Sequence, residues 1–179
     1  MIVLVDQDDV LNDFNAHFQR IWKPICPPEF YVPPEKQKIF NLQDNYPQHL
    51  RQQITDIYTA PGFVFNLPPI EAGINAVKEM MRMGLDVYIC TSPLPEYENC
   101  VLEKYKWVER FFGRTMTRKL ILTGDKTLIK GKFLIDDKPE IFGSEQPAWE
   151  RVVYDRPWNQ NSKAIRLYGW KNWKLAIGV

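Results

Sequence analysis

The stretch Met1-Ile-Val-Leu-Val-Asp-Gln-Asp-Asp-Val-Leu-Asn-Asp-Phe14 sets the reading of the whole chain. Its aliphatic, β-branched run from Ile2 to Val5 predicts a strand buried on both faces, as inside a parallel sheet. The run stops at Asp6-Gln7-Asp8-Asp9, which puts three carboxylates at the carboxyl end of that strand. Open α/β sheets hold their ligands at such ends. Acids beside a buried strand need a counter-charge. Mg²⁺ would answer that need, and Asp6 then becomes a candidate phosphate-accepting nucleophile.

Working outward, Leu11, Phe14, Phe18 and Ile21 recur at helical spacing, and Pro24 with Pro27-Pro28 stops the helix. From Lys23 to Pro69 prolines cluster among scattered aromatics, with one helical pattern (Leu50, Ile54, Ile57) over Gln48 to Thr59. This text predicts a small, mainly helical insertion that serves as a lid. Beyond it the pattern is regular. Ile70, Ile74, Val77 and Met81 predict a helix ending near Gly84. Leu85 to Cys90 predicts a second strand, and Tyr97, Val101, Tyr105, Val108 and Phe112 a long helix. Leu120–Leu122, Phe133–Ile135 and Val152–Tyr154 predict three more strands, and Trp170, Trp173 and Ile177 a helical cover over the core. Strands alternating with helices imply an α/β, three-layer, Rossmann-like, mostly parallel sheet with helices on both faces. Residues 1–22 and 68–179 are expected to form the core, and 23–67 a cap inserted after the first strand and helix.

A chain of 179 residues, 45% hydrophobic and 13% aromatic, suits one domain of ordinary size with a real core. The net charge of +1 gives no support for a nucleic-acid or membrane partner recruited by bulk charge. The first strand meets acids at residue 6, so no secretory signal is expected, and no apolar run approaches a membrane span. Three cysteines without a regular framework predict reduced thiols and a cytoplasmic setting. Cys90 reads as core, and Cys26 and Cys100 have no His partner nearby in sequence. Two histidines, His17 and His49, supply neither a His-based metal site nor a Ser-His-Asp triad. The balanced charge and aromatic-rich lid allow a homodimer without requiring one.

Four predicted strand ends carry polar residues of particular kinds: Asp6 and Asp8, then Thr91-Ser92, then Lys126, then Asp136-Asp137. In a parallel sheet these ends share one edge, so residues 130 apart in sequence meet in one cleft. Taken singly, each is ordinary: loop acids, a helix cap, a surface lysine, a turn. Together they suit phosphoryl transfer. A phosphomonoester's charge is met by Mg²⁺ on carboxylates and by Lys126. Thr91 and Ser92, with N–H groups at a helix start, would bind the remaining phosphate oxygens. Asp6 would attack phosphorus to form an acyl phosphate, and Asp8 would serve as acid and then base.

These residues resemble the four motifs of the haloacid dehalogenase superfamily of phosphatases. The blocks Val5–Phe14, Phe63–Leu67, Ala76–Met80, Ile89–Pro93, Glu103–Glu109, Asp125–Thr127 and Leu134–Lys138 more closely resemble the 5′(3′)-deoxyribonucleotidases. The resemblance implies Mg²⁺-dependent hydrolysis of deoxynucleoside monophosphates to nucleoside and phosphate, with Asp6 as nucleophile and Asp8 as acid/base. It implies a metal held by Asp6, the main-chain carbonyl of Asp8 and the Asp136/Asp137 pair, with Asp137 preferred as direct ligand. It places phosphate on Thr91, Ser92 and Lys126, and sugar and base against Phe14 and Val64. Two positions depart from the family: Asp9 replaces a glycine, and Gly124 replaces an arginine. The alternatives are a phosphatase for another small phosphomonoester, such as a sugar phosphate or a nucleic-acid 3′ end, and a non-catalytic nucleotide-binding relative. A receiver domain has similar groups, but its acid pair comes first in the chain and not last.

Overall fold

A computed structural model describes residues 1–179. Six strands form one sheet: β1 (Ile2–Val5), β2 (Asp86–Thr91), β3 (Leu120–Leu122), β4 (Phe133–Asp136), β5 (Glu150–Tyr154) and β6 (Ile165–Leu167). The order is β3-β2-β1-β4-β5-β6, and every neighbouring pair is parallel. β1 is interior, with Val5 opposite Ile89 on one side and Ile135 on the other. Its apolar run follows from that place, since both faces and both edges are covered. β6 is the strand that the sequence pattern did not predict. It is three residues long, half-solvated and at an edge, so it carries neither a continuous nor an alternating apolar signal.

The helices are α1 (Phe14–Trp22), α2 (Arg51–Thr59), α3 (Glu71–Arg82), α4 (Tyr97–Phe112) and α5 (Trp173–Ile177). They share one large apolar cluster with Val3, Val5, Val87, Ile89 and Ile135. The opposite face carries a small cluster of Leu4, Cys90, Leu134 and Trp149, backed by Ile129 and Ile141 from the connections after β3 and β4. The expected helices on both faces are therefore replaced on one side by turns and loops. Crossovers are right-handed, so α3 and α4, stepping the same way from β1 to β2 to β3, must lie on one face. No α-helix follows β3, β4 or β5 before the next strand begins. A Cβ on Gly131 would come within 2.9 Å of Leu4, which is how closely that connection lies on the sheet.

Two helices are rotated from the expected faces. In α1, Ile21 faces solvent and Trp22 is buried, stacked on Phe18. In α4, Tyr97 and Tyr105 are exposed, while Cys100, Lys104, Trp107 and Val108 point inward. The insertion is mostly 3₁₀ turns (Pro28–Phe30, Pro34–Lys36, Leu42–Asn45, Gln48–Leu50), and α2 is its single α-helix. Proline supplies part of the reason: Pro28 opens a turn that the pre-proline residue Val32 cannot extend into a helix, and Tyr46, before Pro47, stops the turn Leu42–Asn45 in the same way. The insertion packs on α1 through Leu42, Tyr46, Leu50 and Ile54, all in the main core. Its return is pinned by α4: Glu103 accepts the N–H groups of Gly62 (2.5 Å) and Phe65 (3.1 Å), and Trp107 Nε1 donates to Leu67 O (2.8 Å). Trp170, Trp173 and Ile177 are buried as expected and close the end of the core. No helix is long and apolar enough to cross a membrane.

Candidate active site

β1 delivers Asp6 directly after its last residue, and the Asp6 N–H donates to Ile135 O of β4 (2.8 Å). β4 ends on Asp136, β2 ends on Thr91, and β3 leads through Thr123-Gly124-Asp125 to Lys126. All four ends open into one cleft of about 540 Å³, within the usual range for a small-molecule site. Asp6, Asp8, Thr91, Ser92, Lys126, Asp136 and Asp137 all line it, as does Phe14. Phe14 is half-buried, edge-on to Phe63 and tilted against Tyr58. Val64 does not line the cleft. It is 2% exposed and packed in the main core, while Phe14 and Tyr58 supply the aromatic wall. Ser92 is also not at a helix start. α4 begins only at Tyr97, because Pro93 and Pro95 keep the intervening chain out of helix.

Lys126 Nζ lies 2.9 Å from Asp6 Oδ1 and 2.6 Å from Asp136 Oδ2. Asp6, Asp136 and Asp137 each place one carboxylate oxygen within 4.8 Å of the others, all buried. Burial disfavours the ammonium of Lys126, but Asp136 and Asp6 outweigh it and hold its pKa above the ordinary lysine value. Burial pushes Asp6 up to about 6, against the pull of Lys126. Asp137 is raised well above its usual value by burial, then by Asp136, Asp9 and Asp6. Three clustered acids thus have one paired cation among them, Lys126, which touches Asp6 and Asp136 but not Asp137. Asp6 Oδ1 meets Lys126 as an ion pair yet satisfies no hydrogen bond. A buried, oxygen-only, charge-deficient cluster of this kind fits a hard divalent cation.

Asp8 stands apart from that trio. Its Oδ1 accepts from Asn12 Nδ2 (3.0 Å), and its Oδ2 pairs with Lys104 Nζ (2.5 Å). Lys104, fully buried, also donates to Thr91 Oγ1 (3.0 Å). That contact uses an acceptor position of the Thr91 hydroxyl and leaves its proton free to donate to a ligand. Lys104 is not among the residues that the sequence pattern marks for the site. Its signal was present: a lysine in register with Cys100, Trp107 and Val108, on what proves to be the buried face.

Asp9 adopts φ +55, the left-handed conformation that glycine takes without strain and aspartate tolerates. Its carboxylate turns inward, accepting the Asn15 N–H (3.0 Å), and Arg156 donates twice to its carbonyl (2.8 and 2.6 Å). Burial pushes Asp9 up to about 7, with Arg156 and the Asn15 N–H opposing. The extra acid is thus tied to protein groups and also lines the cleft. Two more residues join from the segment after β5: Trp158 Nε1 donates to Asp137 Oδ2 (3.0 Å), and Asn159 Nδ2 to Asp137 O (2.7 Å). Cys90 is core, its thiol pushed up to about 12 by burial, and His17 packs edge-on against Phe63.

A family model described as 5′ nucleotidase, deoxy (pyrimidine), cytosolic type C protein matches residues 1–178. The chain is 40% identical to the human cytosolic-type 5′(3′)-deoxyribonucleotidase, over 96% of this chain and 90% of that one. It is 36% identical to the human mitochondrial 5′(3′)-deoxyribonucleotidase, over 98% and 81%. Among solved structures, a haloacid dehalogenase-family hydrolase from Deinococcus radiodurans, crystallised with phosphate and sodium, shares the fold at a TM-score of 0.63. Identity there is 13%, and coverage is 99% of this chain and 94% of that one.

Proposed function

Because the chain belongs to the 5′ nucleotidase, deoxy (pyrimidine), cytosolic type C family, we propose that its cleft hydrolyses deoxynucleoside monophosphates with Mg²⁺ through a phosphoryl group carried on Asp6. The chain is a phosphoric monoester hydrolase of the 5′-nucleotidase type. The observation that carries the mechanism is the meeting of Asp6, Lys126, Asp136 and Asp137, from three strand ends, at the floor of one cleft.

Asp6 and Asp137 would hold the ion, with the Asp8 carbonyl. Both oxygens of Asp136 are already engaged, by Lys126 Nζ and by the Lys138 N–H (2.8 Å), which favours a supporting role for it. When bound, Mg²⁺ supplies charge neutralisation that lets an anionic ester approach an anionic carboxylate. Lys126, Thr91 and Ser92 take the non-bridging phosphate oxygens. An Asp6 oxygen forms the new bond to phosphorus as the bond to the nucleoside oxygen breaks, and protonated Asp8 gives that oxygen its proton. Asp8, now a carboxylate, takes a proton from water as the water oxygen attacks phosphorus, releasing phosphate and restoring Asp6. Phe14 and Tyr58 stand where a sugar and base would lie, and residues 23–67 act as the cap over them. The test is phosphate release over a panel of deoxynucleotides, ribonucleotides and sugar phosphates, with and without EDTA. Deoxynucleoside monophosphates should lead the panel and EDTA should abolish release. Preference for sugar phosphates, or turnover in EDTA, would refute the assignment.

A further inference from the structure

Of the five aspartates that line the cleft, Asp9 lies beside Arg156, and the other four are not held alike. Asp6 and Asp136 share Lys126, and Asp8 has Lys104. Asp137 has no cation in direct contact. Its one side-chain partner is the Trp158 indole N–H at 3.0 Å, on Oδ2. Indole is a donor only and carries no charge. It fixes the rotation of the carboxylate without neutralising it, and it leaves Oδ1 free. Lysine or arginine at this place would orient the group equally well but would compete with a cation for its charge.

The rest of the segment points the same way. The 3₁₀ turn Pro157–Asn159 follows β5, and Asn159, 1% exposed, donates to the Asp137 carbonyl and to Tyr154 O (both 2.7 Å). The Asn159 side-chain oxygen accepts from the Arg156 N–H (3.1 Å) and from Arg166 (3.0 Å). One turn therefore grips Asp137 at both backbone and side chain and is itself locked at both ends. Trp158 also lines the cleft that Asp137 opens into.

We propose that Trp158 is a positioning residue for the divalent cation: its indole N–H orients Asp137 as an un-neutralised ligand and so sets metal affinity. The inference rests on the metal site argued above. Partners of this kind, one shell out from the ion, are commonly worth roughly 10–100-fold in metal affinity.

The test is calorimetric binding of Mg²⁺ alone to the full chain, without substrate, in wild type, Trp158→Phe and Trp158→His. Trp158→Phe keeps an aromatic ring, though a smaller one, and removes the N–H, and it should bind roughly 10–100-fold more weakly. Trp158→His, measured at about pH 8 where the ring is neutral and still a donor, should recover most of the loss. The Mg²⁺ concentration for half-activation should rise in Trp158→Phe, while kcat at saturating Mg²⁺ stays near wild type. If wild type binds and Trp158→Phe binds within twofold of it, the inference is overturned and the metal site stands. If wild type binds no Mg²⁺, the metal site itself falls. Should Trp158→Phe not fold, the indole N–H signals of the six tryptophans decide. One should shift with Mg²⁺ in wild type and none in Asp137→Asn; no shift in wild type would overturn the inference.

Discussion

Lys104 leaves only a faint trace in sequence, its register with buried neighbours, and is central in structure. It sits on α4, is 0% exposed, and joins Asp8 to Thr91, coupling the candidate acid/base to a phosphate-binding hydroxyl. Lys104→Met keeps the length and apolar stem and removes both contacts. General acid–base catalysis is worth about 10²–10⁴-fold, so a displaced Asp8 should lower kcat by roughly 10² with little change in KM. Stability should fall by less than the ~3–5 kcal/mol of a fully buried pair, because the Asp8 side chain is 25% exposed and can rehydrate. Steady-state kinetics and thermal unfolding of the variant check both. The residues legible beforehand, Asp6, Asp8, Thr91, Lys126 and the Asp136-Asp137 pair, were those whose chemistry falls at the end of a recognisable strand. Lys104 and Trp158 were not, since Lys104 supports Asp8 and Thr91 from behind the cleft, Trp158 holds Asp137 from its lining, and the orientation of each depends on packing.

At the scale of elements, the connection from β4 to β5 deserves the same reading. Asp125, just before Lys126, caps the Thr127 N–H (2.9 Å) and accepts from Ser144 N (2.7 Å) and Ser144 Oγ (2.8 Å). These bonds hold its carboxyl well below the usual range, with Thr127 first and Ser144 next. They tie the loop that carries Ile141 and Phe142 along the cleft to the turn that presents Lys126. Gly143 makes the approach feasible, because a Cβ there would fall inside the Asp125 carboxylate. Gly143→Ala should therefore push the loop off Asp125, lower stability, and raise KM more than it lowers kcat. Chemical denaturation and Michaelis constants measure the two effects. Elements were legible where burial gave a long period: β1, β2, α3 and the closing tryptophans. The α1 and α4 faces were misread because tyrosine and isoleucine count as apolar in a pattern yet tolerate solvent. β6 was missed because three edge residues make no pattern.

At the scale of the molecule, the sheet concentrates acids that water would otherwise separate. Asp6 is raised to about 6, Asp9 to about 7, and Asp137 is raised as well, against 3.8 for a free aspartate. A carboxyl that holds its proton more tightly folded than unfolded stabilises the fold below about pH 4, and that contribution is lost as pH rises through about 6 to 7. In EDTA, the melting temperature of wild type relative to Asp137→Asn should therefore fall as pH rises above the free-aspartate value of 3.8, because burial raises Asp137 as well. Added Mg²⁺ should reverse the fall, because it binds the ionised acids of the folded state. A pH-independent difference between the two proteins would contradict this.

The central claim is that β1 aims Asp6 at phosphorus. The most direct measurement is acid-quenched, single-turnover mass spectrometry of the peptide containing residues 1–14, using the wild-type protein quenched within the first turnover of a deoxynucleoside monophosphate with Mg²⁺. The account predicts a phosphoryl adduct on Asp6 that forms only with metal present and is absent from Asp6→Asn. Turnover by Asp6→Asn above a few per cent of wild type, or an adduct on any other residue, would contradict it.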